Sequence, residues 1–417
     1  MSAFAETTTS STTQNTIDLE LRFGAHNYKP MPVVLTKGLG VHVWDVDGKQ
    51  YLDFLSAYSA VSQGHCHPKI VQALIEQSQK LTLTSRAFYN DKLGVCEQYM
   101  AEYFGYDKVL MMNSGVEAGE TALKLTRKWA YKVKGIAPNQ AKTVYATGNF
   151  WGRTLAAISA STDPSSTSHY GPFLPGFEIV AYNDLAALET LFQNDPNIAG
   201  FMVEPIQGEA GVVVPDEGYL AGVRRLCTQY QVLFIADEVQ TGIGRTGKKL
   251  ACDWEGVKPD ILVLGKALSG GVFPVSAALA NDEVMLTILP GEHGSTFGGN
   301  PLAAAVAMAA LQVVEEEKLA DNAEAMGQIF RSRIQELQQQ CSLIKIVRGK
   351  GLLNAIVIDD TEESDTANQL CYQMMEKGLL CKPTHGNKIR FAPPLVIDAP
   401  QINQACDIIA EVFLNFQ

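Results

Sequence analysis

The chain has 417 residues, of which 46% are hydrophobic and 19% are charged, with a net charge of −12 at pH 7. This composition is typical of a globular protein with an ample core, and the length allows one large and one small domain. The acidic balance argues against nucleic acid and anionic membranes as partners. Anionic ligands must therefore be bound by local arginines and backbone amides.

The N-terminus shows neither common targeting pattern. Its first residues are polar and rich in Thr and Ser, with Glu6 present and no Lys or Arg before Arg22. A mitochondrial transit peptide is arginine-rich and acid-poor, and a secretory signal has a basic start and an apolar core. Eight scattered cysteines without a CxxC pair are typical of a reduced intracellular protein. We therefore expect a flexible tail at residues 1–20 and a cytoplasmic location.

The first regular elements are predicted between residues 41 and 80. Short strands are expected around Val41–Trp44 and Tyr51–Phe54, separated by a turn at Asp47-Gly48. Pro68 suits the first turn of a helix that covers Lys69–Lys80.

From about residue 105 to residue 301, short apolar strands alternate with helical patterns such as Glu117–Val133. This alternation is the signature of βαβ units, and it predicts an α/β fold with a mostly parallel sheet covered by helices. The predicted strands are Lys108–Met112, Thr143–Ala146, Glu178–Ala181, Ile198–Val203, Val232–Asp237 and Ile261–Lys266.

After residue 302 the pattern changes to long helices and shorter strands. The alanine-rich stretch Pro301–Val314 is too short to span a bilayer and predicts a buried helix. Amphipathic helices are expected over Val313–Leu319 and Ala323–Gln340, and strands near Leu353–Ile358 and Ile389–Ala392. The predicted organisation is a tail at 1–20, an N-terminal segment at 21–60 that joins the small domain, a large domain at 61–305 and a small α+β domain at 306–417.

Two charged residues stand at the carboxyl ends of apolar runs. Lys266 follows Ile261–Gly265, and Asp237 follows Val232–Ala236. In open α/β sheets the ligand crevice lies at the carboxyl ends of the strands. Pyridoxal phosphate needs a lysine for a Schiff base and an acid at its pyridine nitrogen. Either residue alone is more often a surface charge, but together with the glycines after each they predict a pyridoxal phosphate site in which both are catalytic.

Two further strand-to-helix connections could bind parts of a ligand. Asn113–Glu117 joins a strand to a helix through Gly115 and Val116, and free amides at a helix N-terminus bind anions such as a phosphate. Phe150 could stack on a planar ring, and Arg153 could bind a carboxylate with two hydrogen bonds. A core aromatic beside a surface arginine is an equally good explanation of the second pair.

Two motifs suggest other chemistry. The loop Gly242–Lys248 matches GxGxxG and keeps a nucleotide-dependent oxidoreductase open as a distant alternative. A P-loop is excluded because Lys249 stands where Ser or Thr must bind magnesium. The segment His65–His67 resembles a metal motif but has no further ligands at a useful spacing, so we predict a structural turn and no metal site.

Ten strings carry a family resemblance over nearly the whole chain, from about residue 24 onwards. They are GAHNYKP (24–30), FLSAYSAV (54–61), QGHCHPKI (63–70), TSRAFYN (84–90), GNFWGRT (148–154), VEPIQGEAGVVVP (203–215), LFIADEVQTG (233–242), LGKALSGG (264–271), PGEHGSTFGGNP (290–301) and KPTHGNKIRFAPPL (382–395). With these strings the chain resembles the class III, fold-type I, pyridoxal-phosphate-dependent aminotransferases. GAHNY, GNFWGRT and KPTHG are similar to the ornithine branch of that family.

The resemblance implies a homodimer whose active sites lie at the subunit interface. It implies that the amides of Gly115 and Val116 bind the cofactor phosphate, that Phe150 stacks on the cofactor ring and that Val239 lies beneath the other face of the ring. It also implies that Gln240 contacts the phenolic oxygen of the cofactor, and that Ser295 with Thr296 contacts the cofactor phosphate of the neighbouring subunit.

The resemblance also implies a set of substrate-binding residues, namely Tyr28, Tyr58, Arg153, Glu209 and Arg390. In the family, positions 28 and 153 contact the α end of ornithine, and positions 209 and 390 form a switchable ion pair. The implied reaction moves the δ-amino group of L-ornithine to 2-oxoglutarate and gives glutamate 5-semialdehyde and glutamate. The nearest alternative is a related aminotransferase that acts on N-acetylornithine or 4-aminobutyrate.

Overall fold

A computed structural model describes residues 11–416 of the chain. Its strands are Leu35–Leu39 (β1), His42–Asp45 (β2), Gln50–Asp53 (β3), Lys108–Met112 (β4), Lys142–Ala146 (β5), Phe177–Val180 (β6), Ile198–Val203 (β7), Leu233–Asp237 (β8), Ile261–Leu264 (β9), Ser276–Ala280 (β10), Ile344–Lys350 (β11), Leu353–Ile358 (β12), Leu379–Leu380 (β13), Lys382–Thr384 (β14) and Lys388–Phe391 (β15). Its helices are Ser11–Phe23, Pro68–Ser78, Leu93–Phe104, Gly115–Trp129, Leu155–Ser159, Pro164–Thr167, Leu185–Asn194, Tyr219–Gln229, Asp282–Met285, Pro301–Glu316, Leu319–Gln338, Thr366–Glu376 and Ala399–Asn415.

The central sheet has seven strands in the order β4-β10-β9-β8-β7-β5-β6. Strands β9, β8, β7, β5 and β6 pair in parallel, whereas β10 is antiparallel to both of its neighbours. Every residue of β7, β8, β9 and β10 is buried. Such continuous apolar strands need cover on both faces, which confirms the α/β fold class predicted from the sequence.

The two faces of this sheet are covered by different helices. Leu233 and Ile235 of β8 pack in one cluster with the helix Gly115–Trp129. Phe234 and Ala236 of the same strand pack in another cluster with the helix Tyr219–Gln229. Because side chains alternate between the faces of a strand, an uninterrupted apolar run fills both cores at once. The charged residue at the end of the run is thereby placed beyond both cores, at the edge of the sheet.

Two smaller four-stranded sheets combine the two ends of the chain. One has the order β1-β2-β3-β13, and the other has the order β11-β12-β15-β14. The rings of Phe54, Phe330 and Phe391 pack together with centroids 5.4 to 6.4 Å apart. The N-terminal strands and the C-terminal region therefore share a core. The domain boundaries near residues 20, 60 and 305 remain predictions.

Two of the predicted segments differ in kind from the structure. A helix at Ser11–Phe23 occupies part of the predicted tail, where Thr13 is buried and donates a hydrogen bond to Asp47 Oδ2 at 2.8 Å. The rest of that tail, residues 1–10, lies outside the described residues. The predicted helix Val313–Leu319 is wrong, because it spans the break between two helices, where Lys318 has a φ of +51°.

A left-handed turn at Ser56–Ser59 lies beside the central sheet. Its four residues have φ values of 49, 46, 60 and 74°, although none of them is glycine. Asp53 holds the turn, since its Oδ1 accepts hydrogen bonds from the amides of Leu55 at 2.8 Å and Ser56 at 2.9 Å. Left-handed backbone costs roughly 1–2 kcal/mol at each non-glycine residue. This strained turn fixes the position of Tyr58.

Among residues 11–416, no helix is both long enough and apolar enough to cross a membrane. All eight cysteines lie in this range, and none of them forms a disulfide.

Candidate active site

A cavity of about 230 Å³ opens at the carboxyl ends of β7, β8 and β9. This is the edge of the sheet at which the sequence placed the ligand crevice. The cavity is lined by Gly115, Val116, Phe150, Trp151, Gly152, Glu204, Glu209, Asp237, Val239, Gln240, Thr241 and Lys266. Both residues predicted to be catalytic thus face the same space.

Asp237 is the last residue of β8, and its carboxylate is buried in the cavity wall. Its Oδ1 accepts a hydrogen bond from the Val239 amide at 3.0 Å. Burial raises the pKa of Asp237 to about 6, although this amide and the ammonium of Lys266 oppose the rise. A positively charged group against Asp237 would restore its ionised form, since an opposite charge favours the carboxylate.

Lys266 follows β9 with a φ of +45°. Burial lowers the pKa of its amine, and the Arg390 guanidinium lowers it further. Glu209 and Asp237 oppose this shift. A larger fraction of the Lys266 amine is therefore neutral than in water, and a neutral amine is the form that attacks an aldehyde.

The predicted phosphate cradle lies at the start of the helix Gly115–Trp129. Ser114 caps the helix, and Glu117 completes a capping box by accepting a hydrogen bond from the Ser114 amide at 2.7 Å. Gly115 and Val116 line the cavity, and they occupy the first turn, where amides lack partners within a helix. The cradle can therefore bind a phosphate group.

Phe150 and Val239 both line the cavity, as predicted for residues on the two faces of a planar ring. The guanidinium carbon of Arg153 lies 5.5 Å from the centre of the Phe150 ring. Gln240 donates hydrogen bonds to the carbonyl of Tyr58 at 3.3 Å and to Glu209 Oε1 at 3.5 Å. With Lys266, Asp237 and the amide cradle, these residues match the groups that pyridoxal phosphate needs.

Glu209 and Arg390 form an ion pair with 2.8 Å between Oε1 and Nη1. Arg390 is 2% exposed and also donates to the carbonyl of Gly208 at 3.2 Å. Burial alone would raise the pKa of Glu209, but Arg390 and Lys266 outweigh burial and lower it. The pair predicted from the resemblance thus exists as a pair of charges, whereas its role as a switch stays a prediction.

The other predicted substrate residues surround the Arg390 side of the site. The guanidinium of Arg390 lies 5.1 Å from the centre of the Tyr58 ring. The pKa of the Tyr58 hydroxyl is raised by burial, by Glu209 and by Tyr28, whereas Arg390 and Arg153 lower it. The other four predicted substrate residues are therefore within electrostatic reach of Tyr58. Tyr28 and Arg153 are exposed and do not line the cavity.

The predicted phosphate-binding residues Ser295 and Thr296 also do not line the cavity of this chain. Ser295 Oγ accepts a hydrogen bond from Asn113 Nδ2 at 2.9 Å, and Thr296 is exposed. Nearby, the His293 ring contacts Thr121 Oγ1 at 2.8 Å. This exposed position is compatible with a contact to a neighbouring subunit, which stays a prediction.

Glu204 was not among the predicted site residues, although it lines the cavity directly after β7. Burial and the neighbouring Asp237 raise the pKa of Glu204 to about 8, and the amides of Phe150 and Gly208 oppose the rise. The rule that selected Asp237 could have found it, since Glu204 also follows a buried apolar strand.

The two motifs that suggested other chemistry have structural roles. In the Gly242–Lys248 loop, Arg245 is fully buried and donates hydrogen bonds to the carbonyls of Leu352 and Pro393. Because Arg245 binds carbonyl groups of the protein itself, this loop does not favour a nucleotide-dependent oxidoreductase. In the segment His65–His67, the two rings contact Asp53 and Glu317, and the described residues hold no group of three or more metal-ligand side chains.

Comparison with known proteins agrees with this arrangement. The family model of class III aminotransferases matches residues 23–413. The mitochondrial ornithine aminotransferase of Rattus norvegicus is 62% identical over 95% of this chain and 90% of its own length. The solved ornithine aminotransferase of Toxoplasma gondii superposes with a TM-score of 0.95 at 49% identity, covering 97% of this chain and 96% of its own. A solved acetylornithine aminotransferase from Elizabethkingia anophelis superposes with a TM-score of 0.89 at 58% identity, covering 97% and 99%. The chain belongs to the class III aminotransferase family.

Proposed function

We propose that this protein is a pyridoxal-phosphate-dependent ornithine δ-aminotransferase that uses 2-oxoglutarate as the amino acceptor. The observation that carries the proposal is the ion pair between Arg390 and Glu209, because Glu209 lines the same cavity as Lys266 and Asp237. The names and high identities of its relatives support the same activity. The products are glutamate and glutamate 5-semialdehyde, and the aldehyde cyclises to pyrroline-5-carboxylate.

The residues of the cavity divide the chemistry between them. Bound pyridoxal phosphate supplies an aldehyde that reacts with amines and a ring that accepts the electrons left when a substrate proton departs. Lys266 holds the cofactor and, once released by the substrate amine, moves a proton at its Nζ as a general base and acid. Asp237 keeps the ring nitrogen protonated, because its carboxylate favours a positive charge beside it. Phe150 and Val239 hold the ring between them.

The Glu209–Arg390 pair explains how one cavity can accept a terminal amine and then an α-keto acid. An unpaired Arg390 would bind the α-carboxylate of ornithine and present the wrong amine to the cofactor. Glu209 masks Arg390 in the first half-reaction, while Arg153 and Tyr28 bind the α end at the mouth. When 2-oxoglutarate enters, Glu209 moves aside and Arg390 binds the carboxylate next to the keto group.

Activity on N-acetylornithine is the second candidate, and the acetylornithine aminotransferase from Elizabethkingia anophelis favours it. The test compares ornithine, N-acetylornithine and 4-aminobutyrate as donors to 2-oxoglutarate. We expect ornithine to react fastest and to form pyrroline-5-carboxylate. A larger kcat/KM for N-acetylornithine would contradict the proposed substrate while leaving the cofactor chemistry intact.

We also propose a homodimer in which Ser295 and Thr296 contact the cofactor phosphate of the other subunit. The exposure of Phe88 (71%), Tyr89 (99%) and Phe297 (52%) supports a covered surface, since large aromatic side chains are enriched at interfaces. Sedimentation of the purified protein tests this, and a monomer with full activity would contradict it. Cytoplasmic location stays a prediction, because the rat relative is named mitochondrial; fractionation of cells that express the protein tests it.

A further inference from the structure

Glu204 lies between the ring-stacking side of the cavity and the segment that carries the ion pair. Its Oε1 accepts a hydrogen bond from the amide of Phe150 at 3.0 Å, and its Oε2 accepts one from the amide of Gly208 at 3.1 Å. Both oxygens of one buried carboxyl group are thus used by backbone amides of two different loops. A side chain with a single acceptor oxygen can accept only one of these two bonds.

Gly208 is held from three directions at this point. Its amide is bound by Glu204, and its carbonyl accepts a hydrogen bond from Arg390 Nη1 at 3.2 Å. A Cβ atom at position 208 would lie 1.3 Å from Gln240 Oε1, so only glycine fits against this side chain. The backbone of Gly208, directly before Glu209, is therefore fixed between Glu204, Arg390 and Gln240.

These contacts form one continuous chain of hydrogen bonds. It starts at Phe150, passes through Glu204 and Gly208 to Arg390, and ends at the carboxylate of Glu209. If the Glu209 side chain leaves Arg390 during the reaction, the Gly208 amide can stay bound to Glu204 and the Gly208 carbonyl can stay bound to Arg390. The movement is then confined to the Glu209 side chain, and the loop that carries it keeps its place.

We propose that Glu204 is a positioning residue that fixes both the Phe150 ring and the Gly208–Glu209 segment, so that cofactor stacking and substrate discrimination depend on one carboxyl group. The proposal rests on the ornithine aminotransferase function proposed above. It assigns Glu204 no contact with substrate, because its two oxygens are occupied by the amides of Phe150 and Gly208.

The test uses Glu204→Gln and Glu204→Asp. Gln has the same shape, but its NH₂ group faces an amide donor and cannot accept a hydrogen bond from it. Asp keeps the carboxyl group, but it is one methylene shorter and cannot reach both amides. Loss of its acceptor leaves the buried Gly208 amide without a partner, which changes an equilibrium about 10- to 100-fold. We expect the affinity of the apoprotein for pyridoxal phosphate to fall by a factor in this range.

The second measurement is the ratio of single-turnover rate constants for ornithine and glutamate. A loosened Gly208–Glu209 segment masks Arg390 less completely, so the variants should lose discrimination and the ratio should fall about 10-fold or more. Tyr182→Phe is the matched control. The Tyr182 hydroxyl donates to the backbone carbonyls of Glu204 and Pro205 at 3.2 and 3.0 Å, so it supports the same strand end without touching the carboxylate.

The cofactor affinity and the rate ratio together decide whether Glu204 has a positioning role. A lower cofactor affinity together with a lower rate ratio in both Glu204 variants, with Tyr182→Phe near wild type, supports the positioning role. Unchanged affinity and ratio in Glu204→Gln would overturn it, and so would an equal loss in Tyr182→Phe, which would indicate general loosening of the strand end. If the wild-type protein does not transaminate ornithine, the proposed function fails, but the affinity measurement still tests the effect of Glu204 on the cofactor.

Discussion

Replacing Asp237 with asparagine should stabilise the cofactor-free protein while it removes the catalytic carboxylate. The pKa of Asp237 rises from its usual 3.8 to about 6 in the fold, a difference of about 2.2 pH units. Each pH unit corresponds to about 1.4 kcal/mol, so ionised Asp237 costs the cofactor-free fold about 3 kcal/mol at neutral pH. Asparagine keeps an oxygen for the Val239 amide and carries no charge. For a chain of 417 residues, that gain raises Tm by about 3 °C.

The sign of the pH dependence follows from the raised pKa. The folded protein binds the Asp237 proton at a higher pH than the unfolded chain does, so stability falls as pH rises from about 4 to about 6. The advantage of Asp237→Asn should therefore be full at about pH 7.5 and roughly halved at about pH 5. This advantage already includes the attraction between Asp237 and Lys266, which lowers the pKa of Asp237.

Thermal unfolding of both cofactor-free proteins at the two pH values is the assay. Asp195→Asn is an opposite-sign control, since Asp195 pairs with Lys142 at 2.8 Å and its pKa is lowered mainly by that contact, against a rise from burial. That variant should lose stability at neutral pH. Pyridoxal phosphate should stabilise wild type more than Asp237→Asn, because only a carboxylate attracts a positive ring nitrogen. Equal or lower stability of cofactor-free Asp237→Asn at pH 7.5 would refute this account of Asp237.

Five further substitutions have expected outcomes. Glu209→Ala should slow the single-turnover reaction of ornithine and speed that of glutamate, and an equal slowing of both would contradict the switch. Lys266→Ala should bind pyridoxal phosphate without covalent attachment after borohydride reduction, and mixing it with Thr296→Ala should restore activity in confirmed heterodimers if the site is shared. Ala57→Gly should raise the free energy of unfolding in urea by about 0.5–1 kcal/mol, because glycine relieves the left-handed turn. Ala122→Gly, at a buried position within a helix, should lower it by about 1–2 kcal/mol, because helix propensity and a buried methyl group are both lost.

The family, the fold class and the cofactor could be predicted because their signals are local. A buried apolar strand followed by a charged residue can be recognised within a short stretch of sequence, and this pattern identified both Lys266 and Asp237. The same rule applies to Glu204, which was overlooked because its carboxylate binds backbone amides that no sequence motif marks.

Other features depend on contacts between distant parts of the chain. Glu209 and Arg390 are 181 residues apart, so their pairing came only from the family resemblance. The turn that positions Tyr58 contains no glycine to mark its left-handed backbone, and it depends on the side chain of Asp53. The GxGxxG loop looked like a ligand site because the burial of Arg245 cannot be read from local spacing.

The pairing of β3 with β13 has a consequence for biosynthesis. Strand β3 ends at residue 53, whereas its parallel partner begins at residue 379. Roughly 300 residues must be translated in between, which takes roughly 15–60 s at typical ribosomal rates. Throughout that interval the nascent chain carries an unpaired strand edge that can associate with other chains. Molecular chaperones that bind extended apolar segments are therefore expected to raise the yield of this protein by covering its first strands until its last quarter has been synthesised.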